Sequence, residues 1–300
     1  MSSWAATAGA VGTVSPMDLG KVGIWWSGRW RAEDEASIDV AAEMEELGYS
    51  ALWSSGGFEP GLSKQFERLL SATSRVVVAS GIVSVWVAEA DEVSRSVAAL
   101  DARYPGRFLL GLGASHAVAV EGYSRPYSHV VEYLDALDSA GVVAQDRRLL
   151  AALGPRMLAL AAGRTAGAHP YFVPVEHTAR ARQELGDGPL LAPEVTIVLE
   201  RDPTTARELA RTFTALYLTL PNYTNNLRTF GFGDEDIAAG GSDRLVDAVV
   251  AWGDVEAIAA RVRAHHDAGA DHVCIQVIST GRESFPLAQY RELAPALLGR

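Results

Sequence analysis

The chain has 300 residues, of which 48% are hydrophobic, and a formal net charge of −11 at pH 7. This negative charge argues against nucleic acid as a partner, because a phosphate backbone requires a basic surface. The apolar runs are much shorter than the ~20 residues that span a bilayer. Cys274 is the single cysteine, so an intrachain disulfide is excluded. We therefore expect a cytoplasmic protein that has no membrane segment.

The first residues differ from the rest of the chain. They lack Lys and Arg, and they do not show the charged and apolar segments of a signal peptide. We predict a disordered tail over residues 1–16. No linker-like stretch follows, so residues 17–300 are interpreted as a single domain.

Short apolar segments alternate with amphipathic ones along the whole chain. The transition Leu47-Gly48-Tyr49, in which glycine ends a helix before a strand, recurs at Ala268-Gly269-Ala270. Such repeated βα units indicate a parallel sheet, and the length suits a (β/α)₈ barrel with insertions. The predicted strands are 21–26, 49–54, 75–83, 108–112, 148–153, 169–173, 194–199 and 271–277. The predicted helices are 36–47, 88–103, 127–139, 155–162, 176–185, 204–220, 245–251, 255–268 and 286–298.

The strand that begins at Phe108 ends in a glycine-rich turn. Gly111 and Gly113 leave little side chain there, so another backbone or a flat ligand could approach closely. Ser115 and His116 follow at the end of the barrel where active sites are built. His116 is therefore a candidate proton donor. The alternative is a tight exit turn with a solvated histidine.

Four tryptophans fall at or just beyond the carboxyl ends of the first three strands. They are Trp25, Trp26, Trp53 and Trp86. Their clustering predicts a wide, apolar substrate pocket suited to an aromatic ligand. Each of them taken alone is more consistent with a residue of the core.

A glycine and a proline separate the fifth strand from its helix. In the sequence Leu153-Gly154-Pro155-Arg156, the first amides of the helix have no partner within the helix, so they could bind an anion. The alternative is an ordinary βα turn.

Arginines are concentrated around this turn. Residues 147–175 contain Arg147, Arg148, Arg156 and Arg164 but no Asp or Glu. This local positive charge could hold a phosphate or a polycarboxylate tail. Alternatively, these arginines cap helices or pair with distant carboxylates. The histidine spacings make a metal site improbable, and the Gly-x-Ser-x-Gly nucleophile motif is absent.

Several stretches resemble the luciferase-like flavin and deazaflavin oxidoreductases, a (β/α)₈ family, and in particular its coenzyme F420-dependent branch. They are residues 106–113, 125–127, 153–157, 192–194 and 269–273. The resemblance extends over residues 17–298.

The resemblance implies a cofactor site. A cis peptide at Gly81–Ile82 would lie behind the cofactor ring, near Gly113, and the phosphate would lie on Leu153, Gly154, Pro155 and Arg156. His116 takes the position of the family's acid/base, often Glu. The chain departs from related deazaflavin enzymes at Gly56-Gly57, where they often carry Asp-His.

The resemblance also implies a function. We expect an oxidoreductase that transfers a hydride between C5 of coenzyme F420 and an organic small molecule, acting as a homodimer. The alternatives are an FMN-dependent luciferase-like monooxygenase and a non-catalytic flavin- or deazaflavin-binding protein. The polar insertion 222–241, which contains Asn222 and Tyr223, is expected to cover the pocket and to set specificity.

Overall fold

The computed structural model describes residues 17–26, 36–56, 64–279 and 285–299. The predicted tail over residues 1–16 and Gly57 lie outside these residues. The strands are β1 Val22–Trp26, β2 Ala51–Ser54, β3 Val77–Ser80, β4 Val83–Ser84, β5 Phe108–Gly113, β6 Arg148–Leu150, β7 Gly167–Ala168, β8 Leu190–Leu191, β9 Glu194–Leu199, β10 Val250–Gly253 and β11 Val273–Val277.

Helices follow most of the strands, as a βα architecture requires. They are α1 Ala36–Leu47, α2 Lys64–Ala72, α3 Ala90–Arg103, α4 Pro126–Ala140, α5 Pro155–Arg164, α6 Val175–Leu185, α7 Pro203–Tyr217, α8 Pro221–Arg228, α9 Asp234–Ile237, α10 Asp243–Val249, α11 Val255–Asp267 and α12 Leu287–Leu298. No helix within the described ranges is long and apolar enough to cross a membrane.

The strands form one parallel sheet in the order β10-β9-β11-β1-β2-β3-β5-β6-β7-β8, with β4 paired to β5. The segment that holds β8 and β9 joins the two ends of this order. On one side the Ala192 amide donates to the Ala168 carbonyl, and on the other the Cys274 amide donates to the Pro193 carbonyl. The sheet therefore curls into a barrel of the (β/α)₈ type, which confirms the predicted fold class.

Alternation along each strand divides the core into two layers. On β2, Trp53 lies in an inner cluster with Trp25 and Cys274, whereas Leu52 lies in the outer cluster beneath the helices. Because successive side chains of a strand point to opposite faces, each strand contributes to both layers. The inner layer places polar and aromatic groups beneath the carboxyl end of the barrel.

The predicted strand 75–83 is divided into β3 and β4, and helix α2 was not predicted. Two further predicted elements differ from the structure. The strand expected at 169–173 is only Gly167–Ala168, since Pro170 has no amide hydrogen for a ladder and Phe172 has a φ of 58°. The helix expected at 245–251 ends at Val249, and Val250–Gly253 pairs with β9 instead. A four-residue strand directly after a helix shows no periodicity of its own.

The insertion predicted as irregular over residues 222–241 is largely helical. Pro221 begins α8, as suits a first helical turn. Tyr223 and Leu227 on this helix are buried in a cluster that also contains Phe172. The insertion is therefore packed onto the barrel.

Candidate active site

The carboxyl end of β5 delivers the histidine singled out in the sequence. After Gly113, Ser115 has a φ of 57°, a backbone conformation that is uncommon for a residue with a side chain. The Tyr123 hydroxyl donates to the Ser115 carbonyl at 3.5 Å. Non-glycine residues in this conformation concentrate at functional sites, and here the turn presents His116 directly afterwards.

Helix α8 contacts this histidine. Nδ1 of His116 lies 3.1 Å from Oδ1 of Asn222, and the His116 ring lies 5.5 Å from that of Tyr223. Burial lowers the pKa of His116, and the hydrogen bond to Asn222 partly opposes this effect. At neutral pH the neutral ring therefore donates from Nδ1 to Asn222, and Nε2 is the nitrogen that carries the lone pair.

Five aromatic side chains form what we call the aromatic wall, which lies next to His116. Its members are Tyr171, Phe172, Phe213, Tyr217 and Tyr223. Neighbouring ring centroids lie 4.6 to 6.5 Å apart, the range of favourable aromatic contacts. Phe172 and Tyr223 are buried, whereas the other three rings are half-buried. The wall thus joins α7 and α8 to the end of β7.

The four predicted tryptophans do not share one pocket. Trp25 lies 5.3 Å from Tyr171 and touches the aromatic wall. Trp53 is fully buried inside the barrel, stacked on His169, so it belongs to the core.

The other two tryptophans lie elsewhere. Trp26 packs on the outer layer against Phe285, with ring centroids 5.2 Å apart. Trp86 stacks on His129 at 3.9 Å. Consecutive residues of a strand face opposite sides, which explains why Trp25 and Trp26 separate. Of the four, Trp25 is the one in contact with the aromatic wall.

The glycines predicted to leave room for a cofactor ring are packed against the protein's own atoms. A Cβ on Gly111 would lie 2.1 Å from the Ser80 carbonyl oxygen, and one on Gly113 would lie 3.1 Å from the Ile82 side chain. A Cβ on Gly81 would lie 2.7 Å from Nε1 of Trp25. The space beside Gly111 is therefore filled by the backbone of β3, and a cofactor ring beside Gly113 stays a prediction. Both glycines do allow another group to pack closely, as predicted, but these groups are the Ser80 carbonyl and the Ile82 side chain of the protein itself.

The peptide bonds of the described residues, Gly81–Ile82 included, are trans, in contrast to the bond implied by the resemblance. The break between β3 and β4 is bridged by backbone hydrogen bonds instead. Gly81 N donates to the Ser54 carbonyl at 2.5 Å, and Gly56 N donates to the Ile82 carbonyl at 2.8 Å. A Cβ on Gly56 would lie 2.6 Å from that carbonyl oxygen. Gly56 therefore serves the packing of this turn and leaves no room for an acid/base side chain.

The predicted anion site is an exposed turn at the start of α5. Gly154 is the N-cap residue, and no atom lies within 4 Å of the position that its Cβ would take. The Arg156 guanidinium lies 4.3 Å from the centre of the Tyr127 ring. Leu153 packs against the cluster that contains Phe172 and Tyr223, and its carbonyl accepts a hydrogen bond from His177. The turn therefore adjoins the aromatic wall.

The other arginines of the predicted positive patch are paired with carboxylates of α3 and α4. Arg147 binds Asp101 at 2.9 Å, Arg164 binds Asp135 at 2.8 Å, and the fully buried Arg148 binds Asp138. Arg148 begins β6 and Arg164 ends α5, so both lie at the amino end of the barrel. The patch is thus neutralised away from Gly154, in agreement with the alternative that these arginines pair with distant carboxylates.

A buried polar set inside the barrel was not predicted. The Tyr171 hydroxyl bonds both the Tyr217 hydroxyl, at 3.0 Å, and Oε1 of Gln276, at 2.7 Å. Glu194 accepts from the Thr196 hydroxyl at 2.6 Å, and burial raises its pKa to about 8. The available signal was a glutamine at an inward position of the otherwise apolar segment Val273–Val277. No group of three His, Cys, Asp or Glu residues within the described ranges is placed to hold a metal ion.

Solved structures share this fold at low sequence identity. An F420-dependent secondary alcohol dehydrogenase, solved with an F420-acetone adduct, matches at 15% identity and TM-score 0.72, over 92% of this chain and 98% of that chain. The F420-dependent tetrahydromethanopterin reductase from Methanopyrus kandleri matches at 14% identity and TM-score 0.67, over 93% and 98% of the two chains.

A third structure contains FMN. It is the oxygenating constituent of 3,6-diketocamphane monooxygenase from Pseudomonas putida, which matches at 15% identity and TM-score 0.57, over 91% and 95% of the two chains.

A comparison with curated proteins finds no match. Residues 29–141 match the model of the luciferase-like monooxygenase family. The resemblance to the luciferase-like family is therefore confirmed, in sequence over residues 29–141 and in fold over the described chain.

Proposed function

We propose that this protein is an oxidoreductase that binds coenzyme F420 or FMN at the carboxyl end of the barrel, with F420 as the first candidate. One observation carries the proposal. His116, the aromatic wall and the exposed Gly154 turn lie next to one another where the strands end. Sites of (β/α)₈ enzymes are built at this end.

The Gly154 turn fits the phosphate of either cofactor. Its N-cap glycine is open, and the Arg156 amide lies in the first turn of α5, where helix amides point outward. The Arg156 guanidinium adds a positive charge beside it. Leu153, Gly154, Pro155 and Arg156 are therefore the proposed phosphate site.

The part of the site beside Trp25 and Gly81 is suited to the ring system of a flavin or deazaflavin. Nε1 of Trp25 is a buried donor that has no hydrogen-bond partner among the described residues. It lies beside Gly81, in the strand break that also holds Ile82 and adjoins Gly113. A buried donor without a partner is costly, so a ring oxygen would find a ready contact here. We propose Gly81, Ile82 and Gly113 as the neighbours of the ring.

His116 is the proposed proton-transfer residue. A bound deazaflavin or flavin supplies hydride chemistry, and the chain must position the substrate, exclude water and move one proton. The neutral His116 ring, held by Asn222, accepts a proton at Nε2, and its protonated form returns one in the reverse direction. Trp25, Asn222 and Tyr223 are proposed to contact the substrate, whereas the buried Trp53 and the distant Trp26 and Trp86 are not.

Two cofactors remain candidates, because Arg147, Arg148 and Arg164 are paired with carboxylates and so do not favour a cofactor with a polycarboxylate tail over one with a single phosphate. Titration of the purified apoprotein with F420 and, separately, with FMN decides between them. We expect saturable F420 binding, which Arg156→Gln weakens and Arg164→Gln does not. Tight FMN binding without F420 binding would assign the protein to the monooxygenase alternative.

Catalysis is tested separately from binding. Single-turnover reoxidation of the bound reduced cofactor against a substrate panel should depend on His116, and no reoxidation by any substrate would favour a binding protein. The resemblance also supports a cytoplasmic homodimer, for which sedimentation equilibrium should give twice the chain mass.

A further inference from the structure

The aromatic wall and the buried amide of Gln276 together form a candidate substrate subsite. Gln276 is 1% exposed, and its Nε2 has no hydrogen-bond partner among the described residues. Its Oε1 accepts from Tyr171, which in turn bonds Tyr217. Both tyrosines are members of the wall, so the amide and the rings are parts of one structure.

The hydrogen bonds of this set run in one direction. The Tyr171 hydroxyl has one hydrogen and gives it to Gln276, so the Tyr217 hydroxyl must donate to Tyr171. Each donation strengthens the next one along the chain, which makes the Gln276 amide a stronger donor. An amide donor that is buried without a partner costs free energy until an acceptor binds it.

The shape of the wall selects flat molecules. The ring centroids of Phe213 and Tyr217 are 4.6 Å apart, and both side chains are half-buried, so part of each stays exposed. The Trp25 ring lies 5.3 Å from that of Tyr171. Aromatic surfaces of this kind bind planar apolar rings well.

The charges around the wall select an uncharged ligand. Within the described ranges, no arginine lies over any of the five rings of the wall. Its ionisable neighbours are the carboxyl of Glu194 and the ring of His116, whose pKa is lowered by burial. A carboxylate placed here would be removed from water without a cation to pair with. A neutral carbonyl oxygen accepts the Gln276 hydrogen bond without that cost.

We propose that the aromatic wall and Gln276 bind the substrate of the proposed oxidoreductase, and that this substrate is a planar, uncharged aromatic carbonyl compound. Gln276 would be its specificity-determining residue. The inference rests on the proposed function for the reaction, but binding at this subsite does not require the cofactor.

The test measures binding of three probes to the apoprotein by tryptophan fluorescence and calorimetry. The probes are the neutral ketone 1-tetralone, its hydrocarbon analogue tetralin and the anion 1-naphthoate. We expect 1-tetralone to bind about tenfold more tightly than tetralin, as one buried hydrogen bond allows. We expect 1-naphthoate to bind most weakly.

Two variants test whether the preference for 1-tetralone over tetralin depends on the Gln276 amide and the Tyr217 hydroxyl. Gln276→Met keeps the side-chain volume and removes the amide, so 1-tetralone should fall to the affinity of tetralin while tetralin itself is unchanged. Tyr217→Phe keeps the ring and removes the first donor, so it should reduce the preference for 1-tetralone in part. Circular dichroism and thermal unfolding check that both variants are folded.

The outcomes separate the two proposals. Equal affinity of wild type and Gln276→Met for 1-tetralone, preference for 1-naphthoate, or no binding of any probe would overturn the subsite. Gln276-dependent 1-tetralone binding in a protein that binds neither F420 nor FMN would leave the subsite standing and overturn the proposed function. Binding of F420 or FMN by a protein whose affinity for 1-tetralone does not depend on Gln276 would support the proposed function and overturn the subsite.

Discussion

Asn222 holds His116 by a hydrogen bond of 3.1 Å from Nδ1 to Oδ1, across 106 residues of sequence. This bond raises the pKa of His116 against the larger lowering effect of burial. We predict that Asn222→Ala lowers the pKa of His116 further, because it removes an acceptor that stabilises the charged ring. Asn222→Asp should raise the pKa, since a carboxylate favours the imidazolium.

The measurement is an NMR titration of the His116 ring, assigned with His116→Gln, and it does not depend on activity. The acid limb of the pH–rate profile should move in the same direction in each variant. Identical His116 titration in wild type and both Asn222 variants would contradict the role of Asn222.

Removal of His116 tests its role in proton transfer. We predict that His116→Ala lowers turnover by about a hundredfold or more, as expected when a general acid/base is lost. Cofactor affinity, measured by titration, should change little. His266→Ala on α11 is the matched control, because His266 bonds the Ala270 carbonyl away from the site and should keep full turnover. Unchanged turnover in His116→Ala would exclude the proposed role.

The fold could be predicted from the sequence because its signals are local. Buried strands and glycine-ended helices repeat along the chain, and the predicted strand 194–199 coincides with β9. The site was less predictable because it depends on contacts distant in sequence. Nothing near Arg148 shows that Asp138 on α4 neutralises it. Nothing near Gly111 shows that the Ser80 carbonyl fills the space beside it.

Gln276 illustrates the same limit. Its inward position follows from the alternation of β11, but its partner Tyr171 lies 105 residues away. His116 and Asn222 were both predicted to be site residues, on separate grounds. Their direct contact could be seen only once α8 was placed over the mouth of the barrel.

The ion pair between the buried Arg148 of β6 and the half-exposed Asp138 of α4 should stabilise the fold and leave cofactor binding unaffected. Asp138→Ala leaves the Arg148 guanidinium, which is fully buried, without its carboxylate. We predict a loss of about 3 kcal/mol in the free energy of unfolding, because the charge that is left without a partner is itself buried. Urea unfolding measures this loss, and the F420 or FMN affinity of the folded fraction should be unchanged. Weakened cofactor affinity would restore the rejected positive-patch interpretation.

Buried titratable groups should give the protein a stability maximum near pH 7. Burial lowers the pKa of His169, His177 and His272 to about 4 and that of His265 to about 3, from the ordinary value of 6.5. Between pH 6.5 and 4 the unfolded chain binds protons that the folded chain excludes, so stability falls as the pH falls.

The buried carboxyl of Glu194 makes stability depend on pH in the opposite sense to the histidines. Burial raises its pKa from 4.5 to about 8, so between these pH values the unfolded carboxyl is ionised while the folded one keeps its proton. Stability therefore falls as the pH rises towards 8, by up to about 1.4 kcal/mol per pH unit. Urea unfolding at pH 5, 7 and 8.5 checks both limbs, and Glu194→Gln should abolish the alkaline one. A flat profile between pH 5 and 8.5 would contradict these assignments.

Substitution by alanine should have different effects at Gly111 and Gly154. It should reduce stability at Gly111 and cofactor affinity at Gly154. Gly111→Ala places a Cβ 2.1 Å from the Ser80 carbonyl oxygen, and the backbone of β3 cannot yield. We predict a loss of more than about 3 kcal/mol in the free energy of unfolding, or no soluble protein.

The Cβ of Gly154→Ala would meet no atom within 4 Å, so the stability of this variant should match that of wild type. If Gly154 cradles the cofactor phosphate, its Cβ should instead weaken F420 or FMN binding, which titration measures. Thermal unfolding supplies the control, because a cofactor defect in a fully stable Gly154→Ala protein separates ligand contact from folding. Normal cofactor affinity in that variant would place the phosphate elsewhere.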